Sequence, residues 1–174
     1  MNCCTGNASM HLYRVWRDMT SYDPKKKIFK VNLLLNKAAK EADVYSWMPN
    51  RGHVEIKPKV DCFVAVRIPS WAGRDSCAFS VNGESAEAVW DGKYGIVPAK
   101  VGQVIALNVP ISEHMEKRVI MESEWATTIR GSTIVDIQPK GEWGAIHCHP
   151  EYRSDDVKIV RRERYVHPDV LADY

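Results

Sequence analysis

No run of about 18 apolar residues occurs in this 174-residue chain, so no segment can span a bilayer as a helix. The first residues also lack the apolar stretch of a secretory leader. Net charge is nearly absent: 24 Lys and Arg stand against 22 Asp and Glu, a formal +2 with the signs interspersed. That balance gives no electrostatic footprint for nucleic acid. No internal repeat and no low-complexity segment is present. An even cysteine framework is missing too, since the five cysteines are Cys3, Cys4, Cys62, Cys77 and Cys148. They suit a reducing compartment better than a secreted disulfide scaffold. The expectation is therefore a cytoplasmic chain with neither membrane nor nucleic acid as partner. Its length fits one domain with a small appendage and can bury a real core.

Most of the chain reads as strand. Cys62, Val64, Val66 and Ile68 alternate with Phe63, Ala65 and Arg67, and Ile105, Leu107 and Val109 alternate with Ala106 and Asn108. That is the period of half-buried strands. Asn82-Gly83 and Asp91-Gly92 are hairpin-turn dipeptides between apolar runs, and further short runs lie at 54–56, 95–97, 119–121 and 134–137. Many short strands with frequent turns predict an antiparallel β-sandwich. Residues 37–42 could form one helical turn, and Lys25-Lys26-Lys27 reads as a solvated turn.

Before the strands comes a helix, with Ala8, Leu12, Val15, Trp16 and Met19 recurring at three- and four-residue steps. Thr5 or Asn7 is available as its cap, and Asp23-Pro24 ends the pattern. Two adjacent thiols, Cys3 and Cys4, sit at its start. Neighbouring Cα atoms are about 3.8 Å apart, below the usual disulfide separation, so the pair reads as free thiols or metal ligands. A helix N-terminus favours the thiolate. Two inert thiols ahead of a core helix satisfy the same pattern.

An ordered series of short pieces adds to this reading. It starts with Asn2-Cys3-Cys4-Thr5-Gly6-Asn7-Ala8-Ser9, then Leu12-Tyr13 and Trp16, Lys30-Val31-Asn32-Leu33-Leu34-Leu35-Asn36-Lys37-Ala38-Ala39, and Arg51-Gly52-His53-Val54-Glu55-Ile56. Val66-Arg67-Ile68-Pro69-Ser70-Trp71, Val81-Asn82-Gly83, Asp91-Gly92-Lys93-Tyr94 and residues 131–141 follow in order. The set resembles the C-terminal portion of glycoside hydrolase family 127, the β-L-arabinofuranosidase-like group. Single pieces are weak, but their order and the double cysteine are specific.

The resemblance implies an (α/α)6 barrel followed by β-sandwich material, and retaining hydrolysis of β-L-arabinofuranosides by a zinc-bound cysteine. Cys3 matches the nucleophile, and Cys3 and Cys4 match two of four zinc ligands. The other two ligands and the acid/base glutamate fall upstream in the family, outside this sequence. Zinc is normally held by at least three protein ligands, and retaining hydrolysis needs a proton donor, so the chain alone is expected to be inactive. Residues 1–24 are then the last barrel helix, 25–141 the β-sandwich and 142–174 a C-terminal strand and basic arm. An arabinose-containing glycan is the implied substrate. The helix stripe would self-associate or meet a separate barrel polypeptide.

A binding or structural module is the alternative. Trp71, Trp90, Trp125 and Trp143 could serve as sugar platforms, or simply fill the core. Trp90 and Tyr94 could stack across the Asp91-Gly92 hairpin. His147 and His149, flanking Cys148, could share a metal or mark a polar strand end.

Overall fold

The computed structural model describes residues 3–140. His147, Cys148, His149, Trp143 and the arm at 142–174 lie outside the described residues. One helix, α1 (Cys3–Asp18), precedes fourteen strands. These are β1 (Thr20–Asp23), β2 (Ile28–Val31), β3 (Lys37–Ala38), β4 (Ala42–Ser46), β5 (His53–Pro58), β6 (Cys62–Arg67) and β7 (Ala78–Val81). They continue as β8 (Glu84–Ala86), β9 (Val89–Asp91), β10 (Tyr94–Ala99), β11 (Ile105–Asn108), β12 (Glu113–Ile120), β13 (Ser123–Arg130) and β14 (Thr133–Gln138).

Three sheets form, ordered β1-β2-β6-β10-β9, β3-β4-β5-β11-β7-β8 and β12-β13-β14. All strand pairs are antiparallel except β2 with β6, which run parallel with Phe29 level with Val64. The predicted alternation in β6 and β11 is what closes the sandwich. Phe29, Val31, Val64, Val66 and Val97 from the first sheet meet Val44, Val54, Ile56, Ile105 and Leu107 from the second in one buried cluster. Period 2 puts those side chains on one face of each strand and the intervening residues on the other, where Phe63 and Arg67 of β6 are exposed and Ala65 is still covered. Phe79 completes the layer against the Gly95 backbone, where an added Cβ would lie 2.6 Å from its ring carbons.

Turn chemistry explains most of the hairpins. Asn82 and Gly83 both take positive φ, 53° and 86°, as a tight β7–β8 turn demands. In the β9–β10 hairpin Asp91 pairs with Tyr94 and Trp90 with Gly95, so the central residues are Gly92 and Lys93. Consequently Trp90 and Tyr94 project to opposite faces and do not stack. Trp90 instead packs edge-on against Phe79, centroids 6.3 Å apart. The β12–β13 turn gave no glycine signal. Met121 and Glu122 carry it at φ of 48° and 67°, so of the expected run at 119–121 only Val119 and Ile120 are strand, the end of one reaching back to Glu113.

Residues 37–42 do not form a helical turn. Lys37 and Ala38 pair with Val44 and Asp43, and the Ala39 N–H donates to the Ala42 carbonyl at 3.1 Å, closing a short hairpin. The lysine run is a turn as expected, held by Asp23, whose carboxylate accepts from the Lys25 and Lys26 N–H groups. The helix also differs in its bounds. It is already under way at Cys3, ahead of both expected caps, so the cysteines occupy its first turn. It ends at Asp18, and Met19 drops into the protein interior at 5% exposure.

Candidate functional site

The cysteine end and the sandwich end of α1 have opposite characters. At the first turn, Cys4 is exposed. Among the described residues no group of three or more His, Cys, Asp and Glu gathers where a metal could be held. Two thiols are fewer than the three protein donors of an ordinary zinc site, so the described residues do not fit a complete one.

At the other end the helix is firmly attached. The Lys37 ammonium donates to the carbonyls of Trp16 and Arg17, each at 2.8 Å, and lies 4.8 Å from the Trp16 ring centroid. Asn32 donates its side-chain amide to the Asp18 carbonyl and its backbone N–H to Met19, both at 2.8 Å. The Tyr94 hydroxyl in turn donates to Asn32 Oδ1 at 2.8 Å. The carbonyls of Trp16, Arg17 and Asp18 are orphans of the helix C-terminus, answered by Asn32 of the β2–β3 loop and Lys37 of β3, with Tyr94 of β10 holding Asn32 in place. Burial pushes the Lys37 ammonium below the usual lysine range, opposed by the charge of Asp18. Between its two ends α1 leaves Leu12 72% exposed, with Met10, Tyr13 and Val15 near half.

Among the candidate platforms, Trp90 is engaged by Phe79 and by Arg74, whose guanidinium carbon lies 5.2 Å from the ring centroid and which donates to the Gly92 carbonyl. Trp125 is half-buried on β13, opposite Arg118 of β12. Trp71 is different. It packs against the core and beneath Gly131, and it lines a cleft of about 480 Å³ formed by the sandwich together with the β13–β14 turn. Leu33, Leu35 and Met48 supply apolar lining, and Arg67 and Lys93 supply charge. The Ile68 N–H donates to the Lys93 carbonyl at 2.9 Å, which brings the β9–β10 turn against the end of β6, and both basic residues line the same cleft. In the sequence Arg67 and Lys93 stand only as a strand residue and a turn residue. The topology that joins β6 to the β9–β10 turn is what brings them together.

No family model matches the sequence, and no curated protein matches it. Solved structures do. Over 76% of this chain the fold superposes on a GH127 β-L-arabinofuranosidase from Geobacillus stearothermophilus T6, with TM-score 0.55 and 16% identity. This fold is shared with part of a GH127 enzyme. The match covers 23% of that enzyme's chain, so the present chain spans under a quarter of it. A GH127 β-arabinofuranosidase gives TM-score 0.47 at 18% identity, covering 63% of this chain and 22% of its own. A third structure, described as a glycoside hydrolase, gives 0.46 at 20%, covering 61% and 20%. No described helix is long and apolar enough to cross a membrane.

Proposed function

We propose that this chain is the β-rich C-terminal region of a β-L-arabinofuranosidase-like glycoside hydrolase, carrying the thiol-bearing helix that would complete the active site of a larger assembly. The observation that carries this is the coincidence of two independent features. The fold superposes on part of a GH127 β-L-arabinofuranosidase, and the family-like cysteine pair falls in the first turn of the helix that enters that fold. In this reading Cys3 is the nucleophile and Cys3 and Cys4 are two zinc donors. The exposed apolar stripe of α1 is the surface that barrel helices would cover.

The described residues supply neither the remaining donors nor a matched acid/base, so no catalytic step is assigned to them in isolation. The test is turnover of an aryl β-L-arabinofuranoside by the purified chain and by Cys3→Ser. The expected result is no turnover by either. Turnover by the wild type that Cys3→Ser abolishes would show that the chain holds a complete site of its own.

A further inference from the structure

We propose that the Trp71 cleft binds a carboxylate-bearing saccharide, with a uronic acid residue as its minimal unit. This site is separate from the thiols. Asn32, which also lines the cleft, is bonded to the last helical carbonyl, and a 16-residue helix is about 24 Å long, so Cys3 and Cys4 lie far off.

Charge is the first argument. Among the described residues Arg67 and Lys93 both line the cleft, no Asp or Glu lines it, and neither side chain has a hydrogen bond or ion pair. Two uncompensated cations lining one concave site favour an anion, and a guanidinium matches the fork of a carboxylate. The smaller cleft on the outer face of the first sheet makes the contrast. There Lys26 and Lys30 are balanced by Asp23 and Asp91, and nothing is left to neutralise.

Shape and lining narrow the anion. A volume of about 480 Å³ is within the range of small-molecule sites and is far larger than an inorganic ion needs. Trp71, Leu33 and Leu35 present apolar surface suited to the C–H face of a sugar ring, while Ser70, Ser132 and Thr133 offer hydroxyls for its own hydroxyl groups. A purely apolar ligand would leave the cations unanswered. An inorganic anion would leave the apolar wall unused.

The test is calorimetric titration of the full chain with α-1,4-linked digalacturonate, with the neutral digalactose of the same linkage, and with sodium acetate. Saturable one-site binding of digalacturonate is expected, with the neutral disaccharide and acetate each at least about tenfold weaker. Arg67→Gln and Lys93→Gln should each weaken binding about five- to twentyfold, as loss of one charge-assisted contact does, with unchanged thermal melting. Absence of saturable binding up to millimolar ligand would overturn the proposal. Equal affinity for the neutral sugar or for acetate, or variants that bind as well as the wild type, would overturn it too.

Discussion

Lys37 holds the end of α1 by clasping Trp16 twice, its ammonium donating to the Trp16 carbonyl at 2.8 Å while lying 4.8 Å from the Trp16 ring centroid. The whole helix is mounted on the sandwich through this end. Lys37→Met, which keeps the stem and removes the donors, should destabilise the chain by about 1–2 kcal/mol, a figure discounted for partial exposure. Hydrogen exchange of the last helical turn should rise more than that of β6 or β11. Uniform acceleration across all three would mean that the contact does not anchor the helix specifically.

Gly95 has no room for a side chain. An added Cβ would lie 2.6 Å from two Phe79 ring carbons, inside the distance that real atoms keep. Gly95→Ala should therefore cost about 1–3 kcal/mol through overpacking, and the double variant with Phe79→Leu should recover part of it. Additive losses in chemical denaturation would show that the two sites are uncoupled.

The sandwich was legible because its strands obey one period. Val64 and Val66, and likewise Ile105 and Leu107, could only share the core face if the residues between them took the other face of the sheet, and Asn82-Gly83 marks its own turn. What was hidden depends on tertiary choice. Met121-Glu122 takes left-handed backbone without glycine, and residues 37–42 yield to pairing with β4 despite carrying helix-forming residues. The Trp71 cleft is half visible in the sequence: Arg67 stands at the end of β6 just before the aromatic, but Lys93 comes from a distant turn that only the β6–β10 register brings near.

Leu107 is fully buried between the sheets. Leu107→Ala should cost about 2–5 kcal/mol, the usual range for a large-to-small core change, read from the denaturation midpoint at constant slope. A loss below about 1 kcal/mol would contradict a close-packed interface there.

Burial pushes the Cys62 thiol above its ordinary range, with the charge of Asp61 adding to it. A raised folded pKa means that folding favours the protonated form. This contribution is complete below the unfolded value near pH 8.5 and is lost as pH rises through the folded value. Stability should fall on going alkaline, and Cys62→Ala should flatten that slope. Thiol labelling at neutral pH should reach the exposed Cys4 well before Cys62. The reverse order would contradict the burial of Cys62.

The stripe of Leu12, Tyr13 and Val15 is exposed along α1. Without barrel helices over it, the chain should self-associate with rising concentration, and Leu12→Lys should shift the sedimentation profile toward monomer. A clean monomer at high concentration in the wild type would contradict an uncovered stripe.

The central claim is that Cys3 and Cys4 are two donors of a zinc site completed from elsewhere. Its most direct test is zinc stoichiometry for the purified chain, by competition against a chromophoric chelator, for the wild type and for Cys3→Ser. No tightly held equivalent of zinc is expected in either protein. One equivalent retained by the wild type and lost in Cys3→Ser would contradict it.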